Sequence, residues 1–303
     1  MPLTMPVPLE TADIAGVDGA VFRVRRHGNR GGVRLVVSHG NGFAADGYLP
    51  FWAPLLRDFE VVALDMRNHG HNPPSDPANH DYAHFAQDIG SLADGIAAAF
   101  GAKPTAGLFH SMAAQSALIH ALDIGWLWEA LVLFDPPNMP PEGDAARPPM
   151  IGYLERLESW AQSRRPRFEN PGELARDYAA TRAGRDWVAG SHELVAQSVL
   201  RRDPERGDWV LRCPPALESA IYRAGITLGL WPRHRQLAGP IKLIGGDPDR
   251  AFPAPTALSN RALARDGGFD YAAIPGTGHL LQLEQPQACV AAALDFLAHL
   301  GLA

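Results

Sequence analysis

Cysteine is scarce, lysine almost absent, and no long apolar run interrupts the 303 residues. Each shortage removes a class of protein. The two cysteines, Cys213 and Cys289, stand far apart and outside any metal-ligand or redox spacing, which excludes a disulfide framework and fits a reducing compartment. No run approaches the ~18 uninterrupted apolar residues of a membrane span, and residues 1–14 lack a basic segment followed by an apolar one. Membrane insertion and export are therefore not expected, and the cytoplasm is the expected location. Only Lys103 and Lys242 are lysines, and the net charge of -6 gives no electrostatic footprint for nucleic acid or an anionic membrane. What is present suffices for a full core: 46% of the residues are hydrophobic. The length exceeds one ordinary compact domain, so one large domain with an insertion is expected.

Apolar runs at 21–25, 33–38, 60–64, 130–135, 241–244 and around 269–274, with a short one ending at Phe109, read as strands. Helical periodicity at 49–57, 82–100, 111–122 and 285–300 alternates with them. This alternation predicts an α/β fold, an open and mostly parallel sheet with helices on both faces. Sites in such sheets gather at the carboxyl ends of the strands, where His39, Ser111 and Asp135 fall. Six prolines between Pro136 and Pro149 then take the chain away from the sheet. Helical segments at 151–162, 173–182, 193–201 and 216–226, with no convincing strand, read as an inserted cap. The expected division is a first core part at 1–135, a helical cap at 136–238 and a second core part at 239–303. Tyr153, Trp160, Tyr178, Trp187, Trp209, Tyr222 and Trp231 are spread through the cap; some are expected to line an apolar pocket, most to pack within the cap itself.

Ser111 lies between a buried run and a run of small residues, Met112-Ala113-Ala114. At a sharp strand-to-helix turn a serine Oγ is pushed out of the top of the sheet, and the next N–H faces any developing oxyanion. The spacing compares with the elbow G-x-S-x-G, with Phe109 and Ala113 at the glycine positions, so the Phe109 ring must point away from the turn. A serine in this place also reads as a plain helix cap. Two glycines in His39-Gly40-Asn41-Gly42-Phe43 permit close backbone approach to a ligand. His69 and His71, with His80 and His84 nearby, raise a metal reading that the lack of an acidic or cysteine partner at the right spacing disfavours. Asp247 and Asp249 follow one late strand, and His279 follows another.

In order along the chain, His39-Gly40-Asn41-Gly42, Asp65-Met66-Arg67-Asn68-His69-Gly70, the Ser111 turn, and Gly246-Asp247-Pro248-Asp249 with Gly278-His279 resemble the α/β-hydrolase fold superfamily from about residue 22 to 300. Asn68 takes the place of a glycine in the second motif. The resemblance implies a capped serine hydrolase with Ser111 as nucleophile, His279 as base and Asp249, at the fourth position of its motif, orienting the imidazole in preference to Asp247 or Asp135. It implies an oxyanion hole from the N–H groups of Asn41 and Met112, and substrate contacts at His39, Gly40, Gly42, Phe43, His110, Trp160 and Trp187. His110 is expected to be structural rather than catalytic. Serine at the nucleophile position fits hydrolysis of an ester, thioester or lactone through an acyl-enzyme, with no cofactor and no metal. The same three residues serve carbon–carbon bond hydrolysis in related capped enzymes, and in some relatives the pocket is a small-molecule receptor. The partner is a small molecule with an apolar acyl or aromatic part, and a homo-oligomer is compatible with the sequence.

Overall fold

β-Branched and leucine-rich runs, buried along their whole length, form the centre of the molecule. The computed structural model describes residues 3–303. Strands β1 (Glu10–Ala15), β2 (Val21–Gly28), β3 (Arg34–Ser38), β4 (Glu60–Ala63), β5 (Thr105–His110), β6 (Ala130–Phe134), β10 (Ile241–Gly245) and β11 (Asp270–Ala273) make one sheet in the order β1-β2-β4-β3-β5-β6-β10-β11. β2 pairs antiparallel with both neighbours, and every other pairing is parallel. The central strands read as continuous apolar runs because both faces are covered.

Strand alternation decides which helix each side chain meets. Val36, Val62, Phe109, Leu131 and Leu243 face α2 (Tyr82–Phe100), α3 (Ser111–Asp123) and α8 (Pro255–Gly267), packing with Phe85, Ile89, Leu118 and Leu263. Their sequence neighbours Leu35, Val37, Val61, Leu108 and Val132 face the other way, onto α1 (Leu49–Trp52) and α10 (Pro286–His299), where Trp52, Ala293 and Leu297 meet them. The expected sandwich of helices about a mostly parallel sheet is thus the observed one.

Between β6 and β10 the chain makes an excursion of α4 (Arg147–Ser163), α5 (Pro171–Ala180), α6 (Ser191–Val199) and α7 (Pro215–Thr227). α9 (Leu281–Glu284) precedes α10. Three expectations need correction. The excursion is not purely helical: β7 (Arg167–Phe168), β8 (Leu200–Arg202) and β9 (Trp209–Leu211) form a small antiparallel sheet ordered β7-β9-β8. These strands have two or three residues each, too short for alternation to register. β1 was not expected either; its exposed edge and polar composition hide it. The helix expected at 49–57 is one α turn followed by a 3-10 turn at Ala53–Arg57, because Pro54 has no N–H to offer the carbonyl of Pro50. No helix among the described residues is long and apolar enough to cross a membrane.

One core residue carries a cost that a pH titration reads. His27 on β2 is 1% exposed, both ring nitrogens lack partners, and its ring centre lies 5.2 Å from that of Trp52. Burial, with the nearby Arg25 charge, lowers its pKa to about 4. The unfolded chain protonates this imidazole near its ordinary value while the folded chain keeps it neutral, so its contribution to stability falls as pH drops from about 6.5 towards 4. His27→Phe should flatten the stability difference between pH 7.5 and 5 by about 2 kcal/mol. Urea midpoints at the two pH values check this; an unchanged slope would mean that His27 is not held neutral.

Candidate active site

β5 runs straight into α3 at Ser111, whose backbone sits at φ 52, a left-handed conformation that costs a serine of order 1–3 kcal/mol. The Phe109 ring does not crowd this turn. It is fully buried, meets Trp128 edge-on with ring centres 5.3 Å apart, and occupies the space that a Cβ on Gly107 would need. Gly40 approaches from the end of β3, where an added Cβ would come within 3.1 Å of the Ser111 Cβ. A side chain at Gly40 would press on both the serine and the His110 ring, 3.0 Å away.

The Ser111 Oγ donates to His279 Nε2 at 3.0 Å, and His279 Nδ1–H donates to the Asp135 carboxylate at 2.7 Å. This corrects the expected acid. Asp249 is exposed, pairs with Arg261 at 2.6 Å and makes no bond to His279, because the loop after β10 runs outward to solvent. Asp247 accepts the N–H groups of Gly276 and Asp249 and braces the loop that carries His279. Asp135 follows β6, the strand beside β10, with φ 43 and no exposure. Its carboxylate also accepts the Thr256 hydroxyl, the Asn260 Nδ2 at 3.0 Å and the Gly246 N–H at 3.2 Å.

Imidazoles hold the surrounding loops. His39 is fully buried, donates Nδ1–H to the Gly40 carbonyl at 2.8 Å and accepts the Met66 N–H at 2.9 Å. His69 accepts the Gly42 N–H at 3.0 Å and donates to the Arg67 carbonyl at 2.8 Å. Burial pushes both pKa values below the ordinary histidine range, so both acceptor nitrogens stay free. His71 and His84 bond the carboxylates of Asp46 and Asp81, and His80 reaches Asn68. His110 bonds on both sides: Nε2–H donates to the His279 carbonyl at 2.9 Å, and Nδ1 accepts from the Tyr48 hydroxyl at 2.8 Å, which in turn receives the Gly40 N–H at 3.3 Å. Burial lowers the His110 pKa as well. One chain of bonds thus ties the Gly40 loop, the elbow and the His279 loop together.

A cavity of about 270 Å³ opens in front of Ser111. Gly40, Phe43, His110, Trp160 and Trp187 line it, together with Asn41, Ser111 and His279. His39 and Gly42 do not: both are buried behind the loop, committed to the bonds just described. Met112 is buried at the start of α3 and Asn41 donates its Nδ2 to the Glu218 carbonyl of α7 at 2.7 Å. Tyr153, Tyr178 and Tyr222 line the cavity too, so five of the seven aromatics named in the excursion border it, and Tyr153, Tyr178, Trp187 and Tyr222 also pack within the excursion's hydrophobic clusters. Trp209 and Trp231 pack against core clusters.

The profile of the alpha/beta hydrolase family matches residues 35–292. The chain belongs to the alpha/beta hydrolase family. No curated protein sequence matches it. Among solved structures it is similar to E-2-(acetamidomethylene)succinate hydrolase, with 19% identity and a TM-score of 0.76 over 95% of this chain and all of that one. An esterase from a Rhodococcus species gives 20% identity and a TM-score of 0.69, covering 97% of this chain and all of its own. The thioesterase domain of the curacin biosynthetic pathway gives 17% and 0.67, covering 94% and 99%. These likenesses bear on the fold.

For this alpha/beta hydrolase, sequence reasoning missed Leu157, Thr181, Ala183 and Leu280 on the cavity wall and ranked Asp135, which stands behind His279, below Asp249. The signal for Asp135 was its place directly at the end of a buried run. The Tyr48 hydroxyl supports two buried groups at once, so Tyr48→Phe should lower stability by about 1–3 kcal/mol. Tyr271 offers the control: its buried hydroxyl has no partner, and Tyr271→Phe should cost nothing or stabilise. Denaturant midpoints of the two variants, ranked the other way, would refute the Tyr48 bridge.

Proposed function

We propose that this hydrolase cleaves an ester, thioester or lactone through an acyl-enzyme on Ser111. The observation that carries the reading is the unbroken line of bonds from Ser111 Oγ through both His279 nitrogens to the buried Asp135 carboxylate, facing a cavity. Ser111 Oγ attacks the carbonyl carbon and its proton passes to His279 Nε2. Asp135 keeps the other ring proton on Nδ1 and offsets the imidazolium charge. The oxyanion is received by the N–H groups of Met112, in the first turn of α3, and Asn41, each such donor contributing about 3 kcal/mol. Collapse breaks the bond to the leaving group, which takes the proton from Nε2. Water then attacks the acyl carbon by the same route, giving its proton to His279 and releasing the acid and Ser111.

Residues 136–238 act as the cap of this site, supplying the aromatic wall, while 1–135 and 239–303 supply the reacting groups. The cavity is small and mostly apolar in its lining, which suits a small-molecule acyl group.

A fluorophosphonate probe should add once to the native chain and not to Ser111→Ala, read by intact mass; labelling of both would place the reactive group elsewhere. Asp135→Asn should lower kcat by on the order of 10⁴, since the imidazole loses the acceptor that fixes its tautomer. Asp249→Asn should stay within about threefold of native, as expected for an exposed surface pair. The opposite ranking of these two variants in steady-state kinetics would return the orienting role to Asp249.

A further inference from the structure

Behind the aromatic wall lies a charged pair that the proposed chemistry leaves unused. Arg164, at the C-terminal end of α4, bonds the Glu218 carboxylate of α7 and, at 2.9 Å, the Tyr178 hydroxyl. Its guanidinium lies 4.8 Å from the Trp160 ring centre and 5.8 Å from that of Tyr178. Both rings line the cavity. One layer of aromatic side chains thus stands between a cation and bound substrate, and Glu218, 1% exposed, cancels that cation. The Glu218 carboxylate also fills the space over Gly42, where a Cβ would overlap it.

The lining itself contains no Lys, Arg, Asp or Glu. Of the charges just outside it, Asp135 stands behind His279, Glu284 receives the Gly278 N–H at 2.7 Å, Arg250 is matched by Asp186 at 3.8 Å, and Arg156 lies near Tyr153. With Arg164 spent on Glu218, no charged side chain of either sign stands in the lining itself. A carboxylate on the acyl group would shed its water there and meet no cation in the lining. Six aromatic side chains, Phe43, Tyr153, Trp160, Tyr178, Trp187 and Tyr222, offer faces and edges against which a flat ring stacks.

We propose that the site selects a compact, uncharged acyl group carrying an aromatic ring, and that Glu218 sets this selection by neutralising Arg164. The inference rests on the acyl-transfer reading above and adds its substrate class. The test compares kcat/KM for para-nitrophenyl esters of phenylpropanoic acid and of glutaric acid with its second carboxyl free, with fluorophosphonate labelling run on the same protein. The native enzyme should favour the phenylpropanoate by at least about 100-fold. Glu218→Gln, which frees the Arg164 charge, should narrow that ratio at least about tenfold through KM for the glutarate. Breaking a buried pair can unfold a protein. Arg164→Gln combined with Glu218→Gln therefore serves as a neutral replacement that should keep the native ratio. A native preference for the glutarate, or a double variant that narrows the ratio as Glu218→Gln does, overturns the proposal. Labelling separates the two readings: a labelled Ser111 with the preference reversed sinks the substrate class alone, whereas no label and no turnover sinks the acyl-transfer reading and this one with it.

Discussion

The Asp135 carboxylate organises the end of the sheet. A charge with no exposure to solvent survives only where donors surround it, and here four converge: His279 Nδ1–H, the Thr256 hydroxyl, Asn260 Nδ2 and the Gly246 N–H. Those donors come from the loop before α9, from α8 and from the turn after β10. Satisfying one carboxylate therefore fixes where three separate segments meet the end of β6, and the imidazole that reaches Ser111 is one of them.

Strain is concentrated after the carboxyl ends of three strands of the same sheet. Asn68, Ser111 and Asp135 are the non-glycine residues with positive φ among those described, and they follow β4, β5 and β6 in turn. Asn68 shows why a glycine is dispensable in its loop: asparagine tolerates the left-handed region, and its side chain accepts the Ser75 N–H at 2.7 Å. Such turns persist only because the surroundings over-determine them. The His39, His69 and His110 bonds are part of that support, and they require neutral rings in a dry setting.

Much of this was legible in the sequence, and the failures have physical causes. Alternating apolar runs and helical periods gave the sheet and its two helix layers, since Val36 and Leu35 must face opposite sides whatever the rest of the chain does. Ser111 and His279 stood out by their place after buried strands. Asp249 was chosen over Asp135 on motif position, but motif position does not report which way a loop turns after its strand; the loop after β10 turns outward. His39 and Gly42 carried the right residue types for substrate contact and spend them on holding the backbone. The aromatic wall was visible only as composition, because which of seven rings face a cavity depends on how α4, α5 and α7 cross.

The packing of Phe109 over Gly107 ties the histories of two positions together. A phenyl ring at the elbow is admissible only while its neighbour two residues back on the same strand face lacks a side chain. A side chain at Gly107 would have to displace both that ring and Leu131 Cδ2, which lies at 2.8 Å, so the two positions can change only together.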